Sequence, residues 1–492
     1  MQIPFGEWLP DQPEYLNPGA TTANNVYYAQ NSYKRFPSLV NYSTNNIGAD
    51  SRGAGSFRDN AGNVYNFVAN NTDIYQLDGG SFTSRKSSLT GTNTDYFTFT
   101  QFGNYIIASN GVDAPQYYLM GTSTNFANLS SIASGVPTFR VSGVVRDFLV
   151  TGNQASNQNR IQWSGINDIT TWTAGSKQAD QQDLPGSGGE IVHITSGEIG
   201  YVFRQNQIIR MDYVGGATIF RLSVISPNRG AVYGRTVCQD NRRVFFYADD
   251  GFFEINGDEV LAIGAEKVNR FFDVDLNKAF ADRICAAVDP FNQLALWLYP
   301  SASNTANTTG ICDKILIYNY ATKKWSTADA NASTIFSQFV GAYTVELMDI
   351  ISENLDQINI ALDTDFWSGG QLLLGAIDGD YKAAIFSGTE NQGTLETREL
   401  ELFPGHRSSI TNVRPIVDAT STVTVKTRER LADTPTESAV STMNDSGDNP
   451  VRESGRYFRL KIVTPSGSVW THAQGVDVIA TKIGLRWRIK LI

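Results

Sequence analysis

A three- to four-stranded meander recurs along most of this chain with no helical segment between its copies. "GSFRDNAGNVYNFVANNTDIYQLDGG" (55–80) shows the unit. One strand ends at Arg58, Ala61-Gly62 closes a tight turn, "NVYNFVA" returns, and "DIYQLDG" makes a third strand after a polar turn. The unit returns in "YFTFTQFGNYIIASNGVDAPQYYL" (96–119), "TFRVSGVVRDFLVTGN" (138–153) with "NRIQWSG", "IVHITSGEIGYVFRQNQIIRMDYV" (191–214) and "RTVCQDNRRVFFYADDGFFEINGD" (235–258). It returns again in "RICAAVDPFNQLALWLYP" (283–300) joined to "KILIYNYATKKWS" (314–326), and in "LLLGAIDGDYKAAIFSG" (372–388). Spacings of roughly 40–50 residues are those of propeller blades. The chain therefore reads as all-β, a β-propeller of about six to eight blades, because radial repetition protects most strand edges. A pair of β-sandwiches is the competing all-β arrangement.

Two segments fall outside the repeat. Residues 1–50 are rich in Pro and Asn and read as an extended arm, whose Trp8, Tyr15 and Phe36 need a surface to bury against. In residues 391–492, "STVTVKTRERL" (421–431) and "RYFRLKIV" (456–463) alternate as half-buried antiparallel strands do, predicting an additional β-rich platform. Between these strands a polar stretch reads as a long loop. The division is thus an arm at 1–50, a propeller with loop insertions at 51–390, and a platform segment at 391–492. Because a closed propeller brings its ends together, arm and platform are expected to join, and removal of residues 1–40 is expected to leave the propeller folded. The one helix candidate is "AEKVNRFFD" (265–273).

Composition narrows the function. A net charge of −10 argues against wrapping by nucleic acid, and no run of five like charges offers a binding tail. Cys238, Cys285 and Cys312 form no C-x-x-C pair and read as reduced, buried thiols. The opening lacks a basic n-region and an apolar h-region, and no apolar run nears the roughly 18 residues of a membrane span, so we expect synthesis in a cytosol and no membrane insertion.

The search for chemistry yields no constellation. His193, His406 and His472 share no metal-ligand spacing, and no Walker loop, G-x-S-x-G elbow or H-E-x-x-H occurs. "GSGGE" (186–190) is the nearest thing to a phosphate cradle, yet it lacks the Lys and a following helix and reads as a flexible connector. Asp249, Asp250, Asp378 and Asp380 sit in Asp-Gly turns, where carboxylates cap their own backbone. "DVDLN" (273–277) lacks the Gly and Glu of a calcium loop. "NRIQWSGINDITTW" (159–172) is tested against the Asp-box of sugar-cleaving propellers. Thr171-Trp172 align, but Gly165, Asn167 and Ile169 fail at the hydroxyl, Asp and Gly positions. Trp163, Trp172, Trp297, Trp325, Trp470 and Trp487 read as wedge fillers or interface anchors ahead of sugar platforms. We expect no catalytic, cofactor-binding or metal residues, no cofactor, and no enzyme activity.

Several stretches together resemble a family. They are "FGEWLPDQPEYLNPG…NVYYAQNSYKRFPSL", "RIQWSGINDITTW", "GGEIVHITSGEIGYVFRQNQIIRM", "NRGAVYGRTV…FFYADDGFFEI", "LETRELELFPGHRSSITNVRPIVD" and "VRESGRYFRLKIVTPSGSVWTHAQGVDV". In order and spacing they resemble the tail nozzle or hub (packaged-DNA stabilisation) proteins of short-tailed bacteriophages, over nearly the whole chain. The resemblance implies a structural virion protein in a homo-hexameric ring below the portal and its adaptor, assembled in the host cytoplasm. It implies contact with tail fibres or a needle, retention of packaged DNA, and double-stranded DNA passing through the lumen without sequence recognition. The platform would face the head. The final stretch "IATKIGLRWRIKLI" (479–492) fits no family pattern. The rival functions are a virion-borne polysaccharide depolymerase and a glycan- or protein-binding module.

Overall fold

Strand pairing in the computed structural model, which describes residues 1–15, 17–216, 218–339 and 372–483, resolves the repeat into a circle of sheets. Five are four-stranded antiparallel meanders built consecutively. Their innermost strands are Gly53–Arg58, Thr98–Phe102, Phe139–Val145, Ile191–Ile194 and Cys238–Asp240. Blade six comprises Cys285–Asp289, Leu294–Tyr299, Cys312–Asn319 and the first half of Lys324–Phe339. That 16-residue strand then turns inward, and its second half is the innermost strand of blade seven, paired to Leu372–Asp378. Ala383–Gly388 follows, and the outermost strand is Ser38–Asn41, from the N-terminal arm. Among the described residues the propeller therefore has seven blades.

Sequence periodicity explains why the blades stack. A strand between two neighbouring sheets is buried on both faces, so alternate side chains serve different interfaces. In Arg243–Ala248 the side chains of Val244, Phe246 and Ala248 enter the cluster shared with blade four, while Phe245 and Tyr247 enter the one shared with blade six. In Leu294–Tyr299, Leu294, Leu296 and Leu298 face blade seven, and Ala295, Trp297 and Tyr299 face blade five. The seven hydrophobic clusters match the seven blade interfaces, including the seam where Val68 and Leu77 of blade one meet Phe336 and Ile377 of blade seven. Across that seam Ser51 N–H donates to Ser333 Oγ at 3.2 Å and Phe339 N–H to Ser56 Oγ at 2.8 Å.

Strands from residues 2–35 and from 393–482 build the platform. One sheet runs Val26–Ala29, Ser32–Arg35, Ala473–Lys482, Ser408–Val417, Asn449–Gly455, with Gln2–Pro4 also on Ala473–Lys482. The second runs Thr22–Asn24, Gly393–Glu396, Tyr457–Thr464, Thr422–Arg428, with short edges at Thr436–Glu437 and Ser441–Thr442. Ile410, Val413, Val476 and Val478 of the first sheet and Val423, Val425, Phe458, Leu460 and Ile462 of the second share one core. A parallel bridge, Asn24 to Thr327, attaches the second sheet to the outer strand of blade six, so the platform extends the propeller at its rim.

Three expectations change. The arm is not confined to the platform, because Ser38–Asn41 closes the circle of blades. The polar stretch after residue 431 is not simply a loop. Its Asn449–Gly455 is a platform strand, held by the buried Asn449 amide donating to Ser421 O and Ser441 O. The helix spans Asn269–Asp275 instead of 265–273, since Glu266, at φ 60°, lies in the left-handed region. Its first amides, Arg270 and Phe271 N–H, donate to the carboxylate of Asp11 at 2.9 and 2.8 Å. A cap supplied from the arm is invisible in the local sequence. Residues 484–492, including Trp487, lie outside the described residues.

Candidate functional site

The tested hairpin, 159–172, connects the third and fourth strands of blade three, Arg160–Trp163 and Asp180–Asp183. Asn167 turns the chain with φ 51°. Asp168 organises it. Its carboxylate accepts from Thr170 N–H at 2.8 Å, the Thr170 and Thr171 hydroxyls at 2.6 and 2.8 Å, and Lys177 Nζ. The Lys177 ammonium, then the Thr170 hydroxyl, hold its pKa well below the usual carboxylate range. Trp172 is buried and donates to Ile169 O at 2.7 Å, while Trp163 donates to Gln178 O at 2.9 Å and packs edge-on against Phe220.

The "GSGGE" connector differs from its expectation as a flexible link. It wraps the fully buried guanidinium of Arg204, which donates to the carbonyls of Pro185, Gly186 and Gly189 at 2.8, 3.2 and 2.8 Å. Gln207 Oε1 and Asn159 Oδ1 accept the remaining bonds. The loop is a carbonyl cage for a cation, the opposite of an anion cradle. Gly188 is required there, since a Cβ would lie 2.8 Å from Arg204 Cζ.

The other candidates disperse. Asp378 caps its own turn, accepting from Asp380 and Lys382 N–H at 3.0 and 2.8 Å, and burial raises its pKa. Asp250 pairs with Arg229, and Asp249 and Asp380 are exposed. Asp275 holds Tyr299 and Lys314 at 2.9 and 2.8 Å, while Asp273 pairs with Lys278 at the surface. His406 and His472 are exposed in the platform, far in the fold from His193 in blade four. The three thiols are buried and free, and burial raises the pKa of each. Trp297 and Trp325 stack at 5.8 Å inside the core between blades five and six, and Trp8 packs on Phe271 at 5.0 Å. Trp470 is buried in the platform. Among the described residues, no group of three His, Cys, Asp or Glu is placed to hold a metal.

What the fold does bring together is an axial cavity of about 520 Å³, lined by the innermost strands of all seven blades. Beside its mouth, at the starts of those strands, lies an arginine cluster, in which Arg235 lines the cavity while Arg52, Arg283 and Asp50 line a smaller pocket that shares Arg235 with it. Arg283 Nη1 donates to Asp50 at 2.9 Å, and Arg52 lies 3.6 Å from the same carboxylate. Tyr96 donates to Asp282 at 2.9 Å and is pushed up to about 12 by burial. Arg235 lies 4.3 Å from the Tyr96 ring centroid and donates to Thr334 Oγ1 at 2.9 Å. Arg140 pairs with Asp95 at 3.1 Å. Deeper in the wall, burial pulls His193 down to about 4, opposed by the Gly234 backbone, so the ring is neutral at pH 7. Sequence reasoning passed over the four arginines, Arg52, Arg140, Arg235 and Arg283, since each belongs to a different blade. Their one shared signal is position, at or just before an innermost strand.

No known family matches the chain, and no curated protein matches it. Among solved structures, it is similar to the extracellular domain of a hybrid two-component system of B. thetaiotaomicron, at 12% identity and TM-score 0.42, covering 77% of this chain and 43% of that one. The chain thus spans less than half of that protein's length. A chain of the Mitotic Checkpoint Complex aligns at 10% identity and TM-score 0.38, covering 71% of this chain and 96% of that one. The Neurospora crassa Pan2 WD40 domain aligns at 8% and 0.38, covering 71% and 94%. The class of protein is set by its own strand order: a seven-bladed β-propeller carrying a two-sheet platform.

Proposed function

We propose that this chain is a structural, non-enzymatic protein of a phage virion, forming the tail nozzle or hub ring of a short-tailed bacteriophage. The observation that carries the reading is the platform, in which strands from residues 2–35 interleave with strands from 393–482 at the propeller's rim. Such a body, separate from the blade loops, gives a subunit one surface for the portal adaptor and another for fibres or a needle. The resemblance in the order of sequence segments supports the same reading, with six copies closing head to tail. The 520 Å³ axial cavity cannot admit a duplex whose major groove alone is about 12 Å wide, so the DNA channel runs between copies, around the ring's axis. An acidic lining repels phosphate and lets DNA slide during ejection, which suits the net charge of −10. Antibody labelling of virions tests the assignment. Label confined to the tail, below the head, is expected; label absent from particles, or purified protein that depolymerises a surface polysaccharide, would refute it.

A further inference from the structure

We propose that the axial cavity is a binding site for a small, singly charged sugar acid, with Arg235 as the carboxylate receptor. The inference is independent of the ring assignment. The volume, about 520 Å³, falls within the about 300–1,000 Å³ typical of small-molecule sites. Of the two arginines lining it, Arg140 is paired with Asp95, whereas Arg235 has no carboxylate partner among the described residues. Thr334 and the face of Tyr96 hold the Arg235 side chain in place while leaving Nε and Nη1 free to meet the two oxygens of a carboxylate.

Charge selects the ligand class. Arg52 and Arg283 share Asp50 outside the cavity, whose own lining sets two guanidiniums, Arg140 and Arg235, against two carboxylates, Asp282 and Glu190. With no positive excess in the lining, Arg235 offers one fork for one carboxylate and, among the described residues, no second free cation for a double charge. A phosphate near its double charge would be left beside Asp282 and Glu190, which both line the cavity. The remaining polar lining, Ser56, Thr94, Thr98, Asn153, Gln239 and Ser337, consists of neutral hydroxyls and amides suited to sugar hydroxyls.

Isothermal titration of the full chain with sodium glucuronate, glucose and inorganic phosphate tests the site. Expected are saturable glucuronate binding at millimolar concentration or tighter, glucose weaker by about tenfold or more, and phosphate weaker than glucuronate. Arg235→Gln should weaken glucuronate by about tenfold or more, while Arg229→Gln, which breaks the pair with Asp250 outside the cavity, should retain it. If Arg235→Gln fails to fold by circular dichroism, Arg235→Lys serves instead, keeping the charge and losing the fork. No glucuronate binding to the wild type, equal binding of glucose, tighter binding of phosphate, or an Arg235 variant that binds normally would overturn the proposal.

Discussion

At the scale of single residues, hydrogen bonds hold Asp168 within its own turn and Arg204 against the carbonyls of the 185–189 loop. Asp168 bonds to four donors within its own turn, so Asp168→Ala should destabilise the protein by about 1–3 kcal/mol, read from denaturant melts. It should leave no change in sugar release; hydrolysis that disappears in the variant would reverse its role. Arg204→Met strands the carbonyls of Pro185, Gly186 and Gly189 and should cost at least about 3 kcal/mol. His193 gives a pH signature. Its folded pKa of about 4 lies below the unfolded value of about 6.5, so the unfolded chain binds the extra proton first as pH falls. Stability from this group is therefore full above about pH 6.5 and declines toward pH 4. His193→Gln should flatten that part of the melting-temperature profile, and an unchanged slope would show that the ring titrates freely.

At the scale of elements, period-2 patterning made the blades legible. "RVFFYA" and "LALWLY" are apolar on both faces because each is sandwiched between sheets, and their bounding turns are spelled by residues such as Asp59 to Gly62. Pairings across hundreds of residues were not legible. Nothing in "SLVN" (38–41) says that it will complete a blade begun at Lys324, and nothing near residue 269 says that Asp11 will cap that helix. Loop closure of that length leaves no local trace, which is also why the arginines of the axial mouth were passed over. Deleting residues 1–40 removes most of the closing strand as well as four platform strands. It should abolish cooperative folding or lower the melting temperature sharply, contrary to the expectation from sequence that the propeller survives. A truncated chain melting like the full one would show that blade seven closes without Ser38–Asn41.

At the scale of the whole molecule, strands from residues 2–35 and 393–482 form the platform and the propeller lies between them in sequence, so rim and circle are mechanically one. Trp297 and Trp325 lie in the core that joins them, each buried indole contributing roughly 5 kcal/mol from about 200 Å² at ~25 cal/mol per Å². With acidic charge spread over this body, free duplex DNA should bind weakly at physiological salt; submicromolar affinity with a steep salt dependence would reveal a basic track. The central claim is that the molecule works as a ring of copies. Mass photometry of the purified chain measures this most directly. The account predicts a species at six times the 54.0 kDa subunit mass that images as a six-fold ring with an open centre. A chain that remains a 54.0 kDa monomer at every concentration, alone or mixed with portal and adaptor, would contradict it.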